Sequence, residues 1–143
     1  MSDATQTNAL QQTPFFAGLP AEELEAIADV GNTVMFEPGD VIVAEGEMGD
    51  GMYVVLSGTA EVDIGGRFHT LTQGDFFGEM ALISSRKRIA TVKATERVEA
   101  LRIPADAFQS FLLSHPSVAV SMLKGIVDRL REVEQRIDAW MAN

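Results

Sequence analysis

The sequence has 143 residues, of which 46% are hydrophobic and 22% charged, a size and composition that predict one globular domain. Its formal net charge of −10 argues against sequence-independent binding to nucleic acid, which needs lysine and arginine to neutralise phosphates. It has no cysteine, no apolar run of membrane-spanning length and no basic leader, so we expect a cytoplasmic protein without disulfides and without a membrane partner.

The N-terminal part of the chain is predicted to hold a tail followed by two short helices. Residues 1–13 have no apolar period, which predicts a loose, flexible tail. From Pro14 to Val30 apolar residues recur at helical spacing, and Pro20 stands before an acidic first turn. We therefore expect a single domain over residues 14–143 that begins with a short helix pair.

The middle of the chain has the pattern of short β-strands separated by glycine-containing turns. Gly65-Gly66 lies between two β-rich runs and is the clearest hairpin signal. This pattern predicts a mainly β fold with flanking helices, an antiparallel β-barrel or jelly roll over about residues 32–103. The strands are predicted at 33–36, 41–44, 52–57, 59–64, 67–72, 89–95 and 97–103.

Helical segments interrupt and then follow the predicted strands. Residues 77–83 lack strict alternation and are rich in helix formers, which predicts a short helical turn between strands. After the last strand, one helix is predicted across Ala105–Ser114 and a long one from beyond Pro116 to about Trp140. The C-terminal helices thus occupy about residues 104–141.

The interrupting segment carries residue types that bind phosphate. A glycine before a helical turn directs unpaired N–H groups outward, and Gly78, Met80 and Ala81 would form such a nest. Arg88, ten residues beyond Gly78, would supply a guanidinium that holds a phosphate by two parallel hydrogen bonds. Glu79 would repel that phosphate unless it accepts hydrogen bonds from another part of the ligand, and a ribose hydroxyl meets that need.

The stretch Phe77–Ile83 followed by Arg88–Val92 resembles the phosphate-binding cassette of cyclic nucleotide-binding domains. That family includes the catabolite activators, the regulatory subunits of protein kinase A and nucleotide-gated channels. The resemblance covers about residues 14–140. It implies that Arg88 pairs with the exocyclic oxygens of the cyclic phosphate, helped by the amides of Ala81 and Ala90. It also implies that Glu79 accepts the ribose 2′-hydroxyl, with Gly78 leaving room for the sugar.

The residue after the arginine bears on the choice of base. Relatives selective for cGMP resemble one another in carrying threonine or serine at the position of Ile89, and isoleucine cannot make their hydrogen bond to guanine. A missing bond of this kind costs about 1–3 kcal/mol. Thr91 could still touch the base, so weaker cGMP binding is also expected. The expected ligand is cAMP, with no metal and no further cofactor.

Two features of the site have alternatives: the role of the basic residues before Arg88, and the residue that covers the base. Arg86 and Lys87 either enhance phosphate capture or face water, and we favour water. In the family the residue that caps the base usually comes from the long last helix, where Arg129, Arg136 and Trp140 are candidates.

Apolar residues on the last helix recur at alternating spacings of four and three, typical of a coiled-coil seam. We predict a homodimer in which this helix, or an unidentified protein partner, relays ligand binding, with Arg129 able to pair with Glu134 of a second, parallel chain. The alternative is that the seam packs on its own barrel. A DNA-binding domain, which follows this helix in catabolite activators, is not expected because the sequence stops at Asn143. The seam residues are Leu123, Ile126, Leu130, Val133 and Ile137.

Three other functions compete with nucleotide sensing. An enzyme is disfavoured because His69 and His115 lie in different elements, with no facial triad and no nucleophile beside a base. A degenerate barrel that serves only for dimerisation or protein interaction is disfavoured by the intact Glu79 and Arg88. The same fold could instead bind another effector such as a cyclic dinucleotide, but the cassette suits one phosphate and one ribose.

Overall fold

A computed structural model describes residues 4–142, which form four α-helices, eight strands and one short 3-10 helix. The α-helices are α1 (Ala4–Gln12), α2 (Ala21–Val30), α3 (Ala105–Ser114) and α4 (Pro116–Ala142). The strands are β1 (Asn32–Phe36), β2 (Val41–Val43), β3 (Gly51–Ser57), β4 (Ala60–Ile64), β5 (Arg67–Leu71), β6 (Phe76–Phe77), β7 (Thr91–Ala94) and β8 (Val98–Pro104). The 3-10 helix, Glu79–Leu82, is called the cassette helix below.

The strands form two antiparallel sheets that pack face to face in a jelly-roll arrangement. One sheet has the order β1-β8-β3-β6 and the other the order β2-β7-β4-β5. The mainly β fold with flanking helices is therefore confirmed, although the strands make two separate sheets and not one closed barrel. The middle strand β3 is buried on both faces, because one face meets the second sheet and the other meets the helices.

Alternation along β3 divides the core into two layers. Met52 and Val54 point toward the helices, where they pack in a cluster with the fully buried Phe16 and Phe108. Tyr53 and Val55 point the other way, into the space between the sheets. Side chains that follow one another along a strand point to opposite faces, so a continuous apolar run is what a strand buried on both sides requires.

The N-terminal prediction is wrong in two respects. Residues 4–12 are helix α1 and not a loose tail, and Leu10 has none of its side chain exposed. The stretch from residue 13 to residue 19 forms turns, so the helix pair is α1 with α2 and does not lie within 14–30. Local periodicity in α1 is weak, and its burial against α2 and β3 supplies the stabilisation that the local sequence does not show.

In the β-rich part of the chain, the predicted hairpin turn is confirmed, whereas some strand bounds differ from the prediction. Gly65 and Gly66 both have positive φ, at 58° and 86°, which confirms a two-residue hairpin between β4 and β5. Strand β6 was not predicted because two residues are too few to show alternation. Residues 89 and 90 lie outside β7, which begins at Thr91.

The two C-terminal helices are confirmed, with a sharp bend between them. Helix α3 packs on the core through Phe108, while α4 leaves it after Val118 and Met122, the two residues it buries. Within residues 4–142 no single helix has the length and apolarity needed to cross a bilayer; α3 and α4 meet those criteria only as a pair bent by 109°.

Candidate functional site

The cassette begins at a glycine whose conformation turns the chain out of β6. Gly78 has φ of 79° and ψ of 15°, a left-handed conformation that is costly for residues with a side chain. The preceding Phe77 stacks its ring on Tyr53 with 5.1 Å between centroids, which holds the start of the cassette against β3. The predicted helical turn is thus confirmed as the cassette helix that follows Gly78.

The guanidinium of Arg88 is sunk into the protein beside this turn. Its side chain is 9% exposed, and Nη2 donates a hydrogen bond to the carbonyl oxygen of Gly51 at 3.0 Å. The same nitrogen lies 3.7 Å from a carboxylate oxygen of Asp50. The backbone is fixed too, because the amide of Arg88 donates to the carbonyl of Glu47 at 2.6 Å. An arginine held in this way presents a preorganised charge to a phosphate.

Two glycines leave the space in which this guanidinium lies, and a third allows β3 to approach β8. A Cβ at Gly78 would collide with Arg88 Nη1, and a Cβ at Gly49 would come within 3.4 Å of Arg88 Cζ and 2.9 Å of Ala81 Cβ. A Cβ at Gly51 would collide with the backbone of β8. The loop from β2 to β3 therefore forms one wall of the site and the cassette forms the other.

Asp50 joins two arginines at this wall. Its carboxylate accepts a hydrogen bond from Arg102 Nη2 at 3.0 Å while facing Arg88. Burial alone would lower the pKa of Arg102, but interactions with Tyr53 and Asp50 more than offset it and leave that pKa raised. Asp50 and Arg102 are site residues that were not predicted from the sequence. The sequence signal that could have indicated Asp50 is its position between two glycines, Gly49 and Gly51.

The other cassette residues differ in how well they match their expected roles. Glu79 is half-buried, and among the described residues its carboxylate has no hydrogen bond or ion pair. The amide of Ala81 already donates to Gly78 O at 3.0 Å, whereas the amide of Ala90 has no acceptor within the described chain. Met80 is 68% exposed, so it contributes backbone and not side chain to the nest.

Ile89 and Thr91, which follow Arg88 in the sequence, point away from the space between the sheets. Ile89 is 76% exposed. Thr91 has the orientation opposite to that of buried Val92, and its hydroxyl accepts a hydrogen bond from the amide of Glu45 at 3.0 Å. Arg86 and Lys87 are exposed, in keeping with the interpretation that they face water.

The structure does not bring the predicted lid residues to the site. Arg129, Arg136 and Trp140 lie on the exposed distal part of α4, and Trp140 is 79% exposed. The predicted seam is exposed as well, with Leu123 at 61% and Leu130 at 58%, so it does not pack on its own sheets. Of the remaining seam positions, Ile126 is half-buried while Val133 and Ile137 are exposed.

Among residues 4–142 no three histidine, aspartate or glutamate side chains gather where they could hold a metal ion. His69 lies on β5 and His115 at the bend between α3 and α4. The chemistry that the site offers is therefore that of a guanidinium, a carboxylate and backbone amides, which bind polar ligands by charge and hydrogen bonds.

Two facing sheets with a sunken arginine beside a one-turn helix place the protein among small β-modules that bind phosphate-bearing ligands. A family model of the cyclic nucleotide-binding domain matches residues 33–115. That match covers more than half of the chain, and the chain therefore belongs to the cyclic nucleotide-binding domain family, whose domains are regulatory.

Known relatives support the same assignment. The chain is 39% identical over 106 residues to the cAMP-dependent protein kinase regulatory subunit of Yarrowia lipolytica, covering 72% of this chain and 28% of the relative. It is 41% identical over 88 residues to that of Candida albicans, covering 60% of this chain and 19% of the relative. The chain thus spans less than a third of the length of these curated relatives.

Solved structures show the same fold. The N-terminal domain of a transcriptional regulator from Streptomyces coelicolor superposes with a TM-score of 0.77 at 28% identity, covering 89% of this chain and 95% of that one. The catabolite activator protein of Thermus thermophilus gives 0.63 at 28% identity, covering 90% of this chain and 63% of that one.

Proposed function

We propose that this domain binds cAMP in preference to cGMP, as a regulatory module and not as an enzyme. The observation that carries the proposal is Arg88, whose guanidinium is sunk between Gly49, Gly51 and Gly78 and held by Asp50. A buried cation is stabilised by an anion that pairs with it and accepts its hydrogen bonds. A cyclic phosphate would supply that anion.

Arg88 and the residues around it would bind different parts of the ligand. The cyclic phosphate would receive hydrogen bonds from the guanidinium and from the free amide of Ala90. Glu79, half-buried and without an intramolecular partner among the described residues, would accept the ribose 2′-hydroxyl. A carboxylate close to a phosphate is unfavourable unless it has such a donor, so this pairing accounts for both charges.

The experiment that tests the proposal is isothermal titration of nucleotide-free protein with cAMP, cGMP and cyclic di-GMP. We expect saturable binding of cAMP, weaker binding of cGMP and none of the dinucleotide. Thermal-shift measurements give a second readout, because a ligand that binds only the folded state raises the unfolding midpoint. Absence of heat and of a shift with every nucleotide would favour the degenerate interaction module instead.

Base choice is predicted to respond to the residue after the arginine. Replacing Ile89 with threonine adds a hydroxyl at an exposed position beside Arg88, and one new hydrogen bond to guanine is worth about 1 kcal/mol. We expect cGMP affinity relative to cAMP to rise roughly fivefold in titrations with both nucleotides. Ile83→Thr, an exposed cassette residue before the arginine, is the matched control. An unchanged ratio in Ile89→Thr would assign base choice to other residues.

We also propose that α4 pairs two copies of the chain in parallel and relays ligand binding. Support comes from the seam of exposed Leu123, Leu130 and Ile137, since large apolar side chains at heptad spacing gain stability when a second helix covers them. Arg129 and Glu134, both exposed, are available for an ion pair between the chains.

If α4 pairs two chains, a charged residue placed in the seam should dissociate the dimer. Leu130→Glu places like charges at the centre of the seam, so light scattering should give twice the chain mass for the unmodified protein and the chain mass for the variant. Leu113→Glu makes the same change at a leucine that is 85% exposed on α3, outside the seam, and should leave the dimer intact. Equal masses for all three proteins would contradict pairing through α4.

A further inference from the structure

The cassette helix contacts α3 through Leu82. Its side chain is fully buried in the same cluster as Phe108 of α3. Its carbonyl oxygen, at the end of the cassette helix, accepts a hydrogen bond from Gln109 Nε2 at 2.9 Å. In the part of the chain that the structure describes, no other side-chain hydrogen bond joins α3 to the cassette helix.

Next to this contact the two elements are separated by open space. A cavity of about 570 Å³ lies there, lined by Ala81 on the cassette side, by Asp106 and Gln109 on the α3 side, and by Gly49, Asp50 and Arg102 of the site wall. The cassette and α3 are therefore not locked together along their whole length. Apolar contact between Leu82 and Phe108 resists separation, but it is non-directional and allows sliding. A hydrogen bond depends on distance and angle, so it fixes relative position.

We propose that Gln109 is a positioning residue that makes α3 follow the cassette when a nucleotide binds. This inference rests on the proposed function, because the nucleotide is what would move or stiffen the cassette. Gln109 is not among the residues assigned to the ligand, and its hydrogen bond goes to Leu82, which is not assigned to the ligand either.

The far end of α3 can pass such a displacement to α4. The ring of His115 stacks on that of Phe111 with 4.3 Å between centroids, and its Nδ1 lies 3.0 Å from the carbonyl oxygen of Phe111. These contacts hold the residue at which the chain bends by 109° into α4. A shift of α3 at Gln109 would thus also change the orientation of α4.

The test is hydrogen–deuterium exchange on the full chain and three variants, with and without cAMP. Gln109→Met removes the donor at similar size, Gln109→Lys retains a donor, and Gln135→Met makes the first change at an exposed position of α4. Because Gln109 is itself partly exposed, all three variants should fold, and a thermal melt checks this directly.

Without nucleotide, we expect amides of residues 79–85 to exchange roughly two- to tenfold faster in Gln109→Met, the range for one lost hydrogen bond, and at the original rate in the other two. With saturating cAMP, slowed exchange should reach α3 and the start of α4 in the unmodified protein and Gln109→Lys, but stop at the cassette in Gln109→Met. Identical exchange in Gln109→Met and the unmodified protein would overturn the inference. If the unmodified protein takes up no cAMP, the proposed function fails, and the nucleotide-free comparison still decides the role of Gln109.

Discussion

Replacing Arg88 with alanine is expected to weaken cAMP binding by at least about 100-fold, because two charge-assisted hydrogen bonds of about 1.5–3 kcal/mol each are lost. The phosphate would then enter a site that has lost the cation offsetting the carboxylates of Asp50 and Glu79. Isothermal titration of the variant beside the unmodified protein measures the effect.

The fold should survive this substitution. Asp50, whose side chain is 69% exposed, keeps its 3.0 Å contact with Arg102, so its carboxylate is not left without a partner. Arg97→Ala is the matched control, since Arg97 is also paired with a carboxylate, Glu37 at 3.3 Å, but is 64% exposed. We expect it to bind cAMP as the unmodified protein does. Retention of cAMP affinity within a few-fold in Arg88→Ala would remove the basis of the proposed site.

Replacing Gly78 with alanine is expected to abolish measurable binding and to lower stability together. A left-handed conformation costs a residue with a Cβ about 1–2 kcal/mol, and this Cβ would collide with Arg88 Nη1. Relief of the collision must shift either the guanidinium or the start of the cassette helix, and both belong to the phosphate site. Thermal unfolding and cAMP titration report the two effects separately.

Gly74→Ala separates the conformational cost from the collision. Gly74 has φ of 91°, but a Cβ there would meet nothing within 4 Å. This variant should lose a similar amount of stability and keep its affinity for cAMP. If both variants bind cAMP normally, the space beside Gly78 is not part of the ligand site.

Much of the site could be predicted because its residues lie close together in the sequence. Gly78, Glu79 and Arg88 belong to one continuous segment, and the need for a left-handed residue before a helical turn is local chemistry. The hairpin at Gly65-Gly66 was predicted for the same reason, since two glycines with positive φ make that turn almost independently of the rest of the chain.

Residues that reach the site from distant parts of the chain were missed. Asp50 and Arg102 are 52 positions apart and meet only because β3 pairs with β8. Thr91 shows the same limit: its orientation on β7, opposite to that of buried Val92, and the hydrogen bond that its hydroxyl accepts from the amide of Glu45 both arise from sheet packing. Which residues pair across two strands, and toward which face of the sheet a side chain points, depend on the register of the sheet. No local sequence pattern specifies that register.

The sequence by itself determined the β-rich middle, the cassette with its glycine and arginine, and the two helices that end the chain. These follow from backbone preference, periodicity and charge within short windows. Only the tertiary structure decided that α1 is folded, that Asp50 faces Arg88 and Arg102, and that Gln109 meets Leu82. Each of these depends on burial or contact between segments far apart in the chain, and such contacts arise only when the sheets and helices pack.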